Sequence, residues 1–327
     1  MCRVPAIIEG MELTIEDVRA AREVVRRYLP PTPMWSYPVL DATAGATVLV
    51  KHENTQPTGA FKVRGGLVLI AALDGRPTVT YSTGNHAQSM AYASHVAGAE
   101  CTVVMPTGVS PAKVAAVAAW GAEVVLTGAT LADAEAHATE VAASTGALLV
   151  SPGDTPSLIA GVGTLYLEIL EARPDLAAIV VPVGSGSGAA AATIVTRALS
   201  PDCAVIGVQS AASPAAHDAW RSGGPSTRPN RTRVEGLATG RSFDLAQRHL
   251  RASLTDFLLV TDDQIADAQR LLAARAHTLA EGAGAAPLAA VLANSDRFAG
   301  REIAIVCTGG NASAGELAEL SHPPTRP

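Results

Sequence analysis

From residue 47 onward, short apolar runs rich in β-branched residues alternate with longer stretches of helical period. The runs cover residues 47–50, 79–81, 101–105, 124–126, 148–150, 179–183, 205–208, 257–260 and 303–307. They are continuously apolar rather than alternating, as in strands covered on both faces. Strand–helix alternation of this kind predicts an α/β fold built on parallel sheets. Helix starts are well marked. Ser110-Pro111 reads as an N-cap with proline in the first turn, and Gly121 closes that helix. Thr261-Asp262-Asp263-Gln264 reads as a capping box, and Thr14-Ile15-Glu16-Asp17 as one with Asp in place of Glu. The segment 222–241, rich in Gly, Pro, Ser and Arg, reads as a loop.

The chain has 327 residues, enough for two ordinary domains. Hydrophobic residues make up 48% and charged residues 17%, which excludes a disordered chain. A net charge of −6 gives no electrostatic support for a nucleic-acid or anionic-membrane partner. Cys2, Cys101, Cys203 and Cys307 lie far apart, so neither a zinc cluster nor a disulfide scaffold is expected. The uncharged stretch 176–196 is interrupted by Pro182, Gly184, Gly186 and Gly188, and reads as strand, turn and helix rather than a membrane span. The first ten residues lack the apolar core of a secretory leader. The expectation is a cytoplasmic protein.

Only three lysines occur, Lys51, Lys62 and Lys113, so chemistry that needs a side-chain amine has few candidates. Lys62 falls at the predicted start of a helix, after the loop Thr58-Gly59-Ala60-Phe61. The positive end of the helix dipole opposes an ammonium there and favours a neutral, nucleophilic amine. Ser82-Thr83-Gly84-Asn85-His86 joins a strand to a helix, and main-chain N–H groups at such a start suit a carboxylate or phosphate. Gly184-Ser185-Gly186-Ser187-Gly188 follows the strand at 179–183 and opens an alanine-rich helix. Glycines there permit close approach of a phosphate. The loop is not a P-loop and matches the dinucleotide fingerprint only loosely. Thr308-Gly309-Gly310-Asn311 follows the last strand and sets a hydroxyl at its carboxyl end.

Together these segments resemble the fold-type II pyridoxal-phosphate enzymes, in particular the serine/threonine dehydratase and serine racemase group. The stretch Lys51 to Gly65 is similar to that family's K-x-E-x-x-Q-x-T-G-[SA]-F-K-x-R-G pattern. Residues Ser82 to His86 are similar to S-x-G-N-H, Gly184 to Gly188 to the glycine-rich phosphate loop, and Thr308 to Asn311 to S-G-G-N. Glu281-Gly282-Ala283-Gly284-Ala285 is similar to the E-x-x-G-A element. The resemblance covers nearly the whole chain.

It implies a two-domain fold of the tryptophan synthase β type, each domain an open parallel-type sheet flanked by helices. Residues 1–50 and 155–327 would form a large cofactor-binding domain, and 51–154 a small domain carrying the substrate loop. Pyridoxal 5′-phosphate is the implied cofactor. Lys62 would form the Schiff base, Phe61 would pack on the ring, and Asn85 would bond the ring's 3′ oxygen. Gly184, Ser185, Gly186, Ser187 and Gly188 would hold the phosphate, and Thr308 would bond the pyridine nitrogen. Ser82, Thr83, Gly84, Asn85 and His86 would bind the substrate carboxylate. A homodimer is implied. At the position of the family's cation-binding acid this chain has Gln209, so no metal is expected. The family's regulatory domain is expected to be absent.

The implied activity is β-elimination from a β-hydroxy amino acid such as L-threonine or L-serine, giving a 2-oxo acid and ammonia. Hydroxyaspartate and phenylserine remain open as substrates. The alternative is a serine-type racemase, in which Thr83 would supply the second acid/base opposite Lys62.

Overall fold

A row of β-branched side chains, Val50, Ile305, Val180 and Ile206, runs in register across four neighbouring parallel strands. All four are buried in one core cluster. Such a row needs strands apolar on both faces, which is what the runs at 47–50, 179–183, 205–208 and 303–307 supply.

The computed structural model describes residues 13–321. The chain groups into two compact units: Met1–Pro31 with Gln56–Thr164, and Thr32–Thr55 with Leu165–Pro327. Resemblance placed the boundaries after residues 50 and 154; the contacts divide the chain after residues 31, 55 and 164. The helix at 15–25 belongs with the first unit because it packs on a helix of that unit.

Numbered along the chain, the first unit holds α1 (Ile15–Val25), α3 (Val63–Ala72), β3 (Thr78–Tyr81), α4 (Asn85–Ala97), β4 (Cys101–Met105), α5 (Pro111–Ala118), β5 (Glu123–Leu126), α6 (Leu131–Thr145), β6 (Leu148–Val150) and the first half of α7 (Pro156–Ala172). Its four strands are parallel, in the order β5-β4-β3-β6. Tyr81 and Val104 pair in register and share a core cluster with Ala134 and Ala138 of α6.

The second unit holds β1 (Met34–Trp35), α2 (Pro38–Ala44), β2 (Thr47–His52), β7 (Ala178–Pro182), α8 (Ser187–Leu199), β8 (Ala204–Ser210), α9 (Ala215–Ser222), α10 (Asp244–Ser253), β9 (Asp256–Val260), α11 (Asp262–Ala276), α12 (Gly282–Ala293), α13 (Ser295–Phe298), β10 (Glu302–Cys307) and α14 (Ala314–Leu320). Its six strands run β1-β2-β10-β7-β8-β9. All pairs are parallel except β1 with β2, a two-residue antiparallel edge that carries no sequence signal of its own.

Both capping boxes read from the sequence form, whereas Ser110 stands at the N-cap of α5 without a side-chain cap bond. At α1, Asp17 Oδ2 accepts from both the main-chain N–H and the hydroxyl of Thr14, at 2.8 and 2.9 Å. At α11, Thr261 and Gln264 bond reciprocally, at 2.8 and 3.2 Å. The residues expected to lack a secretory leader lie outside those described. Among the described residues no helix is long and apolar enough to cross a membrane.

Candidate active site

In the first unit, Lys62 is the N-cap of α3. Burial pushes its amine down to about 8. Its Nζ donates to the Pro152 carbonyl at 3.4 Å and stands 5.3 Å from the Phe61 ring centroid. The backbone that carries it is held closely. A Cβ on Gly65 would stand 2.7 Å from the Leu158 carbonyl oxygen, and one on Gly161 would stand 2.5 Å from that of Arg64. Thus α3 and the first half of α7 meet backbone to backbone. Arg64, fully buried, donates to Thr164 Oγ1 at 3.0 Å across the same joint. On the other side Gly66 meets Ser89 of α4, whose hydroxyl donates to the Lys62 carbonyl at 2.6 Å. Lys51 is different. It is buried in the second unit, paired to Glu168 at 2.5 Å and bonded to the Thr32 carbonyl, so its ammonium is already committed to structure.

Residues Ser82, Thr83 and Gly84 form the turn between β3 and α4, and Asn85 and His86 begin the helix with Gly84 as N-cap. The Gly84 N–H donates to Ser82 Oγ at 3.3 Å. His86 is buried. Its Nε2 lies 2.9 Å from Thr80 Oγ1, and that hydroxyl donates to the Val150 carbonyl at 2.8 Å. One hydroxyl has one proton, so Thr80 must accept from the ring, and His86 carries its proton on Nε2. Its Nδ1 is buried with no hydrogen-bond partner. Burial, and next the nearby Lys62 amine, lower the His86 pKa to about 3, so the ring is neutral at ordinary pH.

In the second unit, β7 and β10 are neighbours and both end at the same sheet edge. The loop Gly184 to Gly188 follows β7, and Thr308 follows β10, buried at its carboxyl end. Ligands of open parallel sheets bind at such an edge. Gly186 caps α8 with φ +91°, a conformation that favours glycine. A Cβ on Gly184 would stand 2.3 Å from the Gly236 carbonyl oxygen, so that position also excludes a side chain. Thr239, whose methyl lies 3.8 Å from the same point, has a buried hydroxyl with no partner. The Glu281 N–H donates to the Gly309 carbonyl at 3.0 Å, which ties the E-x-x-G-A element to the turn after β10. Burial, and next Glu281 and Glu53, push the Cys307 thiol up, so it stays protonated beside Thr308.

Gln209, on β8, uses its Oε1 to accept from the His217 N–H at 3.1 Å, which leaves the amide nitrogen as the free end. Among the described residues no group of three or more His, Cys, Asp or Glu is placed to hold a metal ion. Gly236 and Thr239 have no motif of their own. They sit in the segment read from sequence only as a loop, and their place beside Gly184 depends on contacts distant in sequence.

A family model described as pyridoxal-phosphate dependent enzyme matches residues 25–309. The L-threonine ammonia-lyase of Thermotoga maritima is 35% identical over 304 residues, covering 91% of this chain and 76% of that one. The L-threo-3-hydroxyaspartate ammonia-lyase of a Pseudomonas species is 32% identical, covering 93% of this chain and 97% of its own. Among solved structures, a T.th. threonine deaminase superposes with a TM-score of 0.87 at 36% identity, over 92% of this chain and 99% of that chain. Maize serine racemase superposes with a TM-score of 0.89 at 27% identity, over 95% and 97% of the two chains. The fold is that of the fold-type II enzymes. The chain belongs to the family of pyridoxal-phosphate-dependent enzymes.

The residues present fit that cofactor. An aldehyde requires an unprotonated amine, and Lys62 has one lowered to about 8. A phosphate requires open backbone and donors. The loop from Gly184 admits no Cβ at its first residue, leads into the N-terminus of α8, and lies beside the unpartnered Thr239 hydroxyl.

Proposed function

We propose that the protein is a lyase that eliminates water from a β-hydroxy amino acid, L-threonine or L-serine, and releases a 2-oxo acid and ammonia. The observation that carries this reading is the desolvated Lys62 amine, mounted at the start of α3 in the same unit as the Ser82–His86 turn. The names of the threonine and hydroxyaspartate ammonia-lyases that align over most of the chain support it.

Pyridoxal phosphate, when bound, supplies an electron sink for the charge left at the α-carbon. The protein's residues do the rest. Lys62 would hold the cofactor, and its free Nζ would take the α-proton. With a pKa near 8, the amine is partly unprotonated at neutral pH and so can act as a base. Phe61 would pack against the ring, Asn85 would bond its 3′ oxygen, and Gly184 to Gly188 would hold the phosphate. Thr308 would bond the ring nitrogen with a neutral hydroxyl, which would not hold that nitrogen protonated. A ring left less electron-withdrawing would suit elimination of the β-hydroxyl. The substrate carboxylate rests on the start of α4, where Ser82, Thr83, Gly84 and Asn85 offer N–H and hydroxyl donors. His86 serves there through its main chain, since its free ring nitrogen, Nδ1, carries no proton to donate.

A second reading, racemisation, draws on the Thr83 hydroxyl in the turn before α4. A panel of L- and D-β-hydroxy amino acids, scored together for 2-oxo acid and for the opposite enantiomer, tests both. Elimination should dominate, and Thr83→Ala should remove any D-isomer while most 2-oxo acid production persists. Loss of elimination in Thr83→Ala, with cofactor attachment intact, would overturn the one-base scheme. We place the protein in the cytoplasm as a homodimer. The free, buried Cys101, Cys203 and Cys307 support a reducing compartment, and light scattering of the purified chain measures the assembly.

A further inference from the structure

The carboxylate of Asp262 joins three segments that are far apart in sequence. Its Oδ1 accepts from Ser210 Oγ at the end of β8, at 2.6 Å, and from Thr232 Oγ1, at 2.7 Å. Its Oδ2 accepts from the Arg233 N–H at 2.9 Å. None of these bonds serves its own helix, because α11 is capped by Thr261 and Gln264. An aspartate in a helix's first turn is ordinarily explained by the helix dipole. Here both oxygens are instead filled by donors from elsewhere.

What the carboxylate holds leads directly to the glycine loop. Beyond Arg233, the Val234 N–H donates to Thr232 Oγ1 at 3.1 Å, and the Leu237 N–H to the Val234 carbonyl at 3.0 Å. That short turn presents the Gly236 carbonyl to Gly184, at 2.3 Å from where a Gly184 Cβ would stand. On its other side Gly236 is wedged against Ala283, and Val234 against Gly282, with 2.6 and 2.9 Å to the corresponding Cβ positions. The path therefore runs from Asp262 through Arg233 and Gly236 to the first glycine of the loop. Arg233 also bonds Asp263 at 2.7 Å, but both side chains are exposed and such a pair contributes little. The main-chain bond to Asp262 is the one that sets the backbone.

We infer that Asp262 is a positioning residue for phosphate recognition: it holds the 232–237 turn against Gly184 and so keeps the glycine loop shaped for the cofactor's phosphate. This rests on the reading of Gly184 to Gly188 as the phosphate seat. The test compares pyridoxal phosphate with pyridoxal, which lacks only the phosphate, on full-length protein freed of cofactor, with binding followed by visible absorbance. Asp262→Ala should weaken pyridoxal phosphate binding by about tenfold or more while changing pyridoxal binding by less than about twofold. Asp262→Asn keeps an acceptor for the Arg233 N–H and can donate to the two hydroxyls, so it should retain most of the preference. Equal weakening of both ligands by Asp262→Ala would mean general destabilisation and would overturn the inference. Gly184→Ala is the control for the underlying reading. If it spares the preference, the loop is not the phosphate seat. If it abolishes the preference and Asp262→Ala does not, the loop reading stands and the role of Asp262 falls. Should Asp262→Ala fail to fold, Ser210→Ala combined with Thr232→Val removes two of the three donors. That pair must then lower the preference, and an unchanged preference refutes the role.

Discussion

The hydroxyl of Thr80 holds the ring of His86 in one tautomer: it gives its proton to the Val150 carbonyl and takes the one on Nε2. Thr80→Val keeps the shape and removes both bonds, leaving the buried His86 Nε2–H without a partner. The expected cost is about 1–3 kcal/mol, read by denaturant titration. Nitrogen-15 spectra with the His86 ring assigned should show Nε2–H alone for that ring in the parent protein and a mixture in the variant. A mixture in the parent would refute the assignment.

Lys62→Ala should abolish attachment of the cofactor and lower turnover by about several orders of magnitude. Lys51, ion-paired to Glu168, cannot substitute for it. Borohydride reduction followed by peptide mapping checks the site, and label on Lys51 or Lys113 would contradict it.

Cofactor uptake should depend on pH through the same amine. Only the neutral amine attacks the aldehyde, so the rate of attachment should rise with pH and level off above about 8. An ordinary lysine, with a value of 10.5, would keep the rate climbing well beyond that. Stopped-flow absorbance over a pH series distinguishes the two.

Stability should fall on the acid side for a different reason. His52 is lowered to about 4 and His86 to about 3, in both cases mainly by burial, against 6.5 in an unfolded chain. Below about 6.5 the unfolded chain therefore binds protons that the folded one refuses. The stabilisation is full above that pH and is lost progressively as pH falls toward the folded values. Melting temperatures measured between pH 8 and pH 4 should decline, and His86→Gln should flatten part of the decline.

Chelation should leave rate and melting temperature nearly unchanged. The free end of the Gln209 amide is an N–H donor, which cannot ligate a cation. A large loss restored by magnesium or calcium would contradict this.

The strands were legible because each is a short apolar run, and every run read from sequence is a strand in the structure. The helix start at Thr261 was legible because its capping box is local, and that at Ser110 because proline suits a first helical turn; Lys62 stands at a helix start without a side-chain cap bond and was placed by the loop before it. What stayed hidden depends on distant partners. The edge strand Met34–Trp35 is two residues long and is defined only by its pairing with Lys51 and Val50. The segment 222–241 has the composition of a free loop, yet Arg228 bonds Gly240, Ser226 bonds Ser242, and Arg233 bonds Asp262. Asp262 was visible as part of a capping box, which is true of its neighbours and says nothing of its own carboxylate. Likewise Gly65 could be read as the end of a motif, but its need to be glycine comes from Leu158, and that of Gly66 beside it from Ser89.

The joint between α3 and α7 bears on how this protein can change over generations. Where two helices touch through side chains, a larger residue on one can be offset by a smaller one on the other, and the contact drifts. At Gly65 and Gly161 there is nothing left to shrink. Neither position can accept even one extra carbon without levering α3, and Lys62 rides on the first turn of that helix. Lineages that acquire a new substrate must therefore leave the mounting of the amine as it is and alter the residues around the incoming side chain instead.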